Sequence, residues 1–354
     1  MKDYLPFQYG TKLRAPQQVA FDLTYRCNLR CLHCFNSSGE NLIMPSELSD
    51  EDVLKFITEI SSLGLLNVCF CGGEPLIRKG LLEKCCRILK NAGTQVSVVS
   101  NGLLADSETM KKLVEAGLTN IQFSVDGLKH SHDKLRNKTN AFESVMQSLR
   151  NSADLDIQIA VAFTPTSFNI DEIEEVYSLL THFNLLFSRK KPIRLRLQPL
   201  MLMGRASDNS QDLLPDEKQY RKFVNTVNRL RKKVNKDVTI DWGDPVDHLI
   251  RFTSRKLVIP TTNIHANGDI IVSPYIPLVV GNIKRHSLVD YWEAGLFKIW
   301  DYSVVKKLAE NIKCIHDMYT LRDKLPAPFR EKEIYIDLID DDLNDTSSLS
   351  KYEK

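Results

Sequence analysis

Between residues 18 and 200 the chain alternates short apolar runs with longer amphipathic stretches. The short runs are typical of buried strands, and the stretches between them carry apolar residues at the spacing of an α-helix. Regular alternation of strand and helix predicts a parallel sheet covered by helices. Six runs fit the strand pattern: QVAFDL (18–23), LNVCF (66–70), TQVSVVS (94–100), TNIQFSV (119–125), IQIAVAF (157–163) and IRLRLQPL (193–200).

A helical pattern separates each pair of consecutive strands. The first, SDEDVLKFITEISSL (49–63), opens with the Ser and Asp residues typical of a helix N-terminus, and the second ends at Gly93, a common helix stop. Six strand–helix units are too few for a closed eight-stranded barrel. We therefore predict an α/β fold, a partial (β/α)6 barrel of the TIM type, with its chemistry at the carboxyl ends of the strands. The remaining helices are predicted over 106–117, 141–152 and 170–183.

The pattern changes after Arg205. A polar stretch leads into a helix over 217–236 with eight Lys or Arg residues and a single Glu, which is typical of a solvated face and also suits an acidic partner. Residues 257–283 predict three short strands (LVIP, DIIVSP and LVVGNI) separated by turns, a small β-rich α+β extension.

The last 24 residues hold eight acidic and three basic residues, and we expect about the final ten to be disordered. Together these patterns predict four parts: an N-terminal segment (1–16), a barrel core (17–206), the extension (207–330) and a partly disordered acidic tail (331–354).

Charge and hydropathy exclude several classes of function. The 354 residues hold 47 Lys and Arg against 45 Asp and Glu, a net charge of +2, so nothing favours nucleic acid or an anionic membrane surface as a partner. No uninterrupted apolar run approaches the ~20 residues that span a bilayer, and the N-terminus lacks the pattern of a signal peptide. We expect a cytoplasmic protein.

Three of the eight cysteines fall in one short window directly after the first strand, at Cys27, Cys31 and Cys34. In a reducing compartment such a cluster indicates a metal site rather than disulfides. Three thiolates leave one iron of a cubane iron–sulfur cluster with open coordination, which catalysis requires. A structural zinc with His33 as fourth ligand is the alternative, although adjacent His33 and Cys34 make joint tetrahedral ligation awkward.

Polar loops also follow the second, third and fourth strands. In Cys71-Gly-Gly-Glu-Pro75 the two glycines allow the backbone to approach a ligand closely, and Glu74 offers a carboxylate. Each loop alone is typical of a turn, but three at consecutive strand ends predict a binding site. The other two are Ser100-Asn101-Gly102 and Ser124-Val-Asp126-Gly127.

The spacing Cys-x-x-x-Cys-x-x-Cys, followed by these loops in this order, resembles the radical S-adenosylmethionine (radical SAM) superfamily. The resemblance implies that Cys27, Cys31 and Cys34 bind a 4Fe–4S cluster and that S-adenosylmethionine (SAM) is the second cofactor. His33 takes the place of a commonly aromatic residue beside the third cysteine. The SAM-binding residues that the resemblance implies are His33, Gly72, Gly73, Glu74, Ser100, Asn101, Ser124, Asp126, Arg136 and Gln198.

In such enzymes the reduced cluster chelates SAM and passes one electron to its sulfonium. The resulting 5′-deoxyadenosyl radical takes a hydrogen atom from the substrate. The resemblance therefore also implies an electron donor, such as a flavodoxin or a ferredoxin.

Residues 259–300 resemble the SPASM/twitch extension of many superfamily members. Cysteines in that extension bind auxiliary clusters in relatives, but this sequence has no cysteine between Cys86 and Cys314, and Tyr275 stands where Pro-Cys is expected. We therefore predict one 4Fe–4S cluster, with the extension serving as a scaffold and substrate wall.

The segment CFNSSG (34–39) and the GGEPL loop are most similar to the branch that modifies peptides and peptide-derived cofactors. We expect hydrogen abstraction from a small ribosomally made precursor peptide, leading to cross-linking, epimerisation or oxidation. No leader-binding domain is recognisable in the sequence. The alternatives are a small-molecule substrate (a sugar, nucleoside or tetrapyrrole) and an inactive relative that only binds SAM or a partner. For an epimerase, Cys314 is our candidate hydrogen-atom donor.

Overall fold

A computed structural model describes residues 14–39, 46–233, 235–243, 261–310, 312–314, 317, 334–347 and 349. Within these residues one sheet runs through the predicted core and the extension, in the order β11-β10-β9-β8-β1-β2-β3-β4-β5-β6-β7. The strands are β1 (Gln18–Thr24), β2 (Asn67–Gly72), β3 (Gln95–Ser100), β4 (Leu118–Ser124), β5 (Gln158–Phe163), β6 (Ile193–Leu197), β7 (Val238–Trp242), β8 (Thr261–Ile264), β9 (Asp269–Ser273), β10 (Ile276–Asn282) and β11 (Ile334–Tyr335).

Strands β1 to β7 are parallel, and β8 joins the free side of β1 in the same direction. Strand β9 is antiparallel to both of its neighbours, β8 and β10, and β11 is parallel to β10. This architecture confirms the predicted mixed α/β class, a partial barrel followed by an extension. No helix of the described residues is long and apolar enough to cross a membrane.

Helices connect the parallel strands and cover their outer face. The α-helices are α1 (Asp50–Ser61), α2 (Lys79–Asn91), α3 (Ser107–Ala116), α4 (Lys129–Arg136), α5 (Ala141–Ser152), α6 (Ile173–Leu186), α7 (Gly204–Asp208), α8 (Ser210–Leu213), α9 (Glu217–Lys232), α10 (Leu288–Ala294) and α11 (Ser303–Ala309). Short 3-10 helices span Pro75–Arg78, Ile170–Glu172 and Leu296–Asp301.

The two faces of the sheet differ because alternate residues of a strand point to opposite sides. Val19 and Phe21 of β1, like Val68 and Phe70 of β2, are fully buried on the helix-covered face. The opposite face lines the inside of the partial barrel and is only half-buried. This inner face carries polar side chains, among them Asp22, Cys69, Cys71, Ser97, Asn120, Gln122, Arg196 and Gln198.

The sequence pattern missed several elements, among them α4, β7 and β11. The short helix α4 lies in the segment that holds Arg136, and β7 extends the sheet past residue 206, where the sequence predicted a boundary. Strand β11 belongs to the acidic tail, whose Ile334, Ile336 and Leu343 are buried. Of the final ten residues expected to be disordered, 345–347 and 349 are described and Leu349 is buried, contrary to that expectation, whereas 348 and 350–354 lie outside the described residues. The predicted strand LVIP (257–260) also lies outside them.

Candidate functional site

The three cysteines of the loop after β1 line one cavity of about 210 Å³ at the carboxyl ends of the strands. Cys31 is buried, and Cys27 and Cys34 are half-buried. The loops after β2, β3 and β4 reach the same cavity, as the parallel topology requires. Of the residues proposed to bind SAM, the cavity wall includes His33, Gly72, Gly73, Ser100, Asn101, Ser124, Arg136 and Gln198.

Arg205, at the start of α7, holds the cysteine loop in place. Its Nε donates to the carbonyl oxygen of Cys31 at 2.9 Å, and its Nη1 and Nη2 both donate to the carbonyl oxygen of Ser38 at 3.2 Å. Its backbone N–H donates to Cys34 O at 3.0 Å. From the sequence, Gly204-Arg205-Ala206 resembles a superfamily segment with contacts near adenine, and that role stays a prediction; the bonds of Arg205 to the cysteine loop were not predicted.

The thiol environment fits an iron–sulfur cluster. Burial raises the pKa of Cys27 to about 11 and also raises the pKa of Cys31, so neither sulfur ionises without a cationic partner such as iron. N–H groups face both sulfurs: Leu29 N lies 3.4 Å from Cys27 Sγ. Arg136 Nη1 lies 3.7 Å from Cys31 Sγ. Such donors stabilise the sulfurs of bound clusters.

Two glycines allow the loop after β2 to pack directly against the cysteine loop. A Cβ on Gly73 would lie 2.1 Å from the carbonyl oxygen of Arg26, and one on Gly72 would lie 2.5 Å from Thr24 O. Gly72 also has a φ of +110°, a backbone conformation that residues other than glycine rarely adopt. Backbone N–H groups of this loop then bond the cysteine loop, Gly73 N to Thr24 O and Glu74 N to Arg26 O, both at 2.8 Å.

The structure places the Glu74 carboxylate, which the sequence assigns to SAM binding, away from the cavity, and a direct contact with SAM stays a prediction. The side chain is fully buried and does not line the cavity. Its Oε1 accepts from Leu76 N at 3.1 Å and from Ser100 Oγ at 2.9 Å, while Oε2 accepts from Asn101 N at 2.8 Å. Burial raises its pKa, and these donors oppose that rise. Glu74 therefore ties the loop after β2 to the loop after β3.

Asp126 likewise lies behind the cavity wall rather than in it. It is fully buried, and its Oδ1 accepts from Thr164 N at 2.9 Å. Its Oδ2 pairs with Arg136 Nη2 and lies 3.4 Å from His33 Nε2. Burial opposes ionisation, but the neighbouring Arg136 and His33 outweigh it and hold the pKa of Asp126 well below its usual range.

Arg136 and His33 are thus aimed into the cavity by one buried carboxylate. The Arg136 side chain is 11% exposed, and Asp126 raises its pKa against the effect of burial. Arg136 Nε and His33 Nδ1 are buried and have no hydrogen-bond partner among the described residues. A guanidinium suits a carboxylate ligand, and Arg136 and His33 both line the cavity.

The structure does not bring Cys314 to this cavity. Its side chain is exposed, and its backbone N–H donates to Asp317 Oδ2 at 2.9 Å. Besides Cys27, Cys31 and Cys34, the described residues that line the cavity include the thiol of Cys71, at the end of β2. A hydrogen bond with Cys69, burial and the Asp22 carboxylate all raise the pKa of Cys71, so it keeps its proton.

The comparisons with known proteins agree with this site. The model of the radical SAM superfamily matches residues 21–180. The sporulation killing factor maturation protein SkfB of Bacillus subtilis (strain 168) is 32% identical over 321 residues, which cover 88% of this chain and 72% of SkfB. The chain belongs to the radical SAM superfamily, and it is an enzyme that uses SAM and a 4Fe–4S cluster.

Relatives with different substrates are found at similar identity. The Fe-coproporphyrin III synthase of Methanosarcina barkeri (strain Fusaro / DSM 804) is 30% identical over 274 residues; the match covers 75% of this chain and 60% of that protein. Among solved structures, Streptococcus suis SuiB bound to SAM has a TM-score of 0.64 at 15% identity, over 92% of this chain and 78% of SuiB. SuiB bound to its precursor peptide SuiA has a TM-score of 0.62 at 14% identity, over 92% of this chain and 77% of SuiB. At these identities the structures show a shared fold.

Proposed function

We propose that this enzyme modifies a ribosomally made peptide by removing a hydrogen atom from one of its residues, as a step of cross-linking, epimerisation or oxidation. The observation that carries the proposal is the similarity to the sporulation killing factor maturation protein SkfB, which extends over 88% of the chain and so includes the extension as well as the barrel. The SuiB–SuiA complex offers a precedent for a peptide in this fold.

The residues of the cavity have separate tasks in this proposal. When bound, the cluster and SAM supply the carbon radical that removes the hydrogen atom. Cys27, Cys31 and Cys34 hold the cluster, and Arg136, fixed by Asp126, binds the SAM carboxylate. Backbone groups of Gly72 and Gly73, with the side chains of Ser100, Asn101 and Ser124, complete the SAM pocket.

A wall for the substrate lies where the barrel meets the extension. Gln198 Nε2 is 3.4 Å from Tyr275 Oη, so the residue that replaces an expected cysteine contacts the SAM-binding cavity. Farther along the inner face, Arg196 Nη1 donates to Gln122 Oε1 at 2.8 Å. Amide, phenol and guanidinium groups of this kind are suited to the carbonyl and N–H groups of a peptide backbone.

The test is anaerobic incubation of the reconstituted enzyme with SAM, dithionite and short peptides encoded beside its gene. We expect 5′-deoxyadenosine together with a peptide that has lost two hydrogens or, for epimerisation in deuterated solvent, has gained deuterium. Formation of 5′-deoxyadenosine with no change in any such peptide would contradict the peptide assignment.

A tetrapyrrole is the second candidate substrate, because the Fe-coproporphyrin III synthase is 30% identical over 75% of this chain. A tetrapyrrole precursor of Fe-coproporphyrin III, added to the same assay, separates the two proposals. If the tetrapyrrole is converted to a new product and the peptides are unchanged, the tetrapyrrole is the substrate and the peptide proposal fails.

An epimerisation assay can distinguish Cys71 from Cys314 as the hydrogen-atom donor. The donor role that the sequence suggested for Cys314 stays a prediction; the structure offers Cys71 as the thiol in the cavity. In deuterated solvent we expect Cys71→Ala to lose deuterium incorporation while still cleaving SAM, and Cys314→Ala to match the wild type. The reverse result would return the role to Cys314.

A further inference from the structure

Helix α4 has one face toward the cluster site and one toward solvent. On the inner face His132 and Leu135 are buried, and Arg136 reaches Cys31 Sγ at 3.7 Å. On the outer face Lys129 and Lys134 are exposed, and Lys138 follows them directly after the helix. The helix is therefore a thin layer between solvent and the cysteine ligands.

A surface groove of about 710 Å³ runs along this outer face, lined by Leu32 and by Lys129, Lys134 and Lys138 among others. Leu32 is the residue next to Cys31 in the chain, and its N–H donates to Leu135 O at 2.9 Å. The floor of the groove is thus one peptide bond from a cluster ligand that is itself 7% exposed.

The charge of the groove is basic. Its lining holds three lysines against one carboxylate, Asp133. That carboxylate accepts hydrogen bonds from the backbone N–H groups of Asn140 and Phe142, both at 2.8 Å, and so stabilises the turn after the helix. Lys129 forms an exposed pair with Glu143 at 3.1 Å, which contributes little in water.

We propose that this groove is the docking surface for an acidic one-electron carrier protein of the flavodoxin or ferredoxin class. The cavity side of the cluster is the side that SAM and substrate must enter, so a carrier needs a second approach. A docked, reduced carrier gives up one electron and is oxidised by one electron, without transfer of an atom; the electron passes to the cluster held by Cys27, Cys31 and Cys34. Charge complementarity speeds such an encounter.

Helix α9 provides a matched surface elsewhere on the molecule. It is equally rich in exposed lysine and arginine, but it packs against α6 and the 3-10 helix Ile170–Glu172. Its Lys222 pairs with Asp171 and its Arg229 with Glu174, both at 2.7 Å. A carrier attracted by basic charge alone would use either surface, whereas one that needs the cluster would use only the groove.

The experiment uses the reconstituted enzyme and an acidic flavodoxin. Calorimetry at low salt gives the Kd for oxidised flavodoxin, and stopped flow gives the rate at which flavodoxin hydroquinone reduces the cluster. For Lys134→Glu/Lys138→Glu we expect the Kd to rise about tenfold and the rate of cluster reduction to fall about tenfold. Both differences from the wild type should shrink as salt is added. The control Lys218→Glu/Lys232→Glu on α9 should stay within about twofold of the wild type. Dithionite should reduce all three proteins at the same rate.

Equal effects of the two double variants, or none, would overturn the proposal. Because Lys134 lies over the Phe168 ring at 3.4 Å, Lys134→Gln/Lys138→Gln serves as a milder variant. If this variant also slows reduction by dithionite, the lysines support the site and not a carrier, and the proposal fails. If the lysine variant binds flavodoxin as tightly as the wild type but binds an acidic peptide more weakly, the groove is a peptide-binding surface and the proposal fails. None of these outcomes depends on which substrate the enzyme modifies.

Discussion

Glu74 and Asp126 each place a buried carboxylate directly behind the wall of the cavity. Every oxygen of the two accepts from protein donors or faces a cationic side chain. Charged hydrogen bonds of this kind are stronger than neutral ones, and an unpaired buried donor is costly. At the residue scale, these carboxylates fix the loops and the guanidinium that face the ligand.

Glu74→Ala should therefore damage the fold as well as SAM binding. It leaves Leu76 N, Ser100 Oγ and Asn101 N without an acceptor, and we expect the free energy of unfolding to fall by about 3 kcal/mol. Ser100→Ala removes one of these contacts and the bond from Gly102 N to Ser100 Oγ, and should cost about 2 kcal/mol. Denaturant titration of the cofactor-free chain measures both. An unchanged unfolding free energy with lost SAM affinity would show that Glu74 binds SAM directly.

The stability of the chain should depend on pH through His132. Burial, with the charge of Arg136, lowers the pKa of His132 to about 4, so the folded chain keeps it neutral where the unfolded chain protonates it. Its contribution is complete above the unfolded pKa of about 6.5 and is lost as the pH falls toward 4, in total about 3 kcal/mol.

Urea titrations of the cofactor-free chain between pH 4.5 and 7 test this expectation. His132→Gln should flatten the fall in stability toward low pH. His130 lies on the same helix but is exposed, so His130→Gln should keep the wild-type slope. A His132→Gln variant that follows the wild-type curve would mean that another group titrates.

At the scale of elements, the site depends on how closely the loops after β1 and β2 approach each other. Three parts of the chain meet there: the cysteine loop, the Gly72-Gly73 turn and the start of α7. Gly204 is as tightly packed as Gly73, because a Cβ on it would lie 2.4 Å from Phe35 O. The cysteine loop is thus held between two backbone contacts, and Arg205 bonds it from the same helix.

Gly73→Ala should lower cluster incorporation, because its Cβ would lie 2.1 Å from the backbone oxygen of Arg26 and push the cysteine loop away. We expect the iron retained after reconstitution to fall to about half or less, measured by iron analysis and visible absorption. Gly80→Ala in α2 is the control: nothing lies within 4 Å of its Cβ, and helix propensity favours alanine by about 1 kcal/mol. Equal iron content in the two variants would rule out the close-packing argument.

At the scale of the whole molecule, barrel and extension share one sheet across the described residues. Strand β8 pairs with β1 from Gln18 to Phe21, and His265, just beyond β8, bonds Asp22 Oδ2 through Nδ1 at 3.0 Å. The acidic tail closes the far edge, where the buried Asp337 accepts from Tyr291 Oη at 3.0 Å. The extension and tail are therefore part of the structure that supports β1 and its cysteine loop.

Truncation after residue 333 should destabilise the chain strongly. It removes β11 and the buried Ile334, Ile336 and Leu343, and it leaves the edge of β10 open. Loss of several buried aliphatic side chains corresponds to roughly 5 kcal/mol or more. Truncation after residue 349 keeps these residues and should be neutral. Equal thermal midpoints for the two truncations would contradict the structural role of the tail.

The number of clusters is also a property of the whole chain. We expect about four irons per chain after reconstitution, and none bound specifically when Cys27, Cys31 and Cys34 are all changed to Ala. Cys314→Ala, at an exposed position, should leave the iron content unchanged. Eight or more irons, or iron that persists in the triple variant, would indicate a second cluster.

Much of the barrel was predictable because its signals are local. Each of the six predicted strands is present within a few residues of its expected bounds, since alternation of apolar positions is a property of the segment itself. Strand β11 was not predictable from the sequence, because its two residues become a strand only by pairing with β10. Helix α4 was hidden by its polar composition, since only His132 and Leu135 of its larger side chains are buried.

The sequence alone determined the chemistry of this protein: three cysteines at fixed spacing, two glycines for close approach and polar residues at successive strand ends. Only the tertiary structure decided which polar residues face the ligand and which stand behind it. Glu74 meets Ser100 and Asn101, and Asp126 meets Arg136 and His33, across separations in sequence that no local pattern encodes. Burial and partner together set the role of a carboxylate, and both arise when distant strand ends are brought to one edge of a sheet.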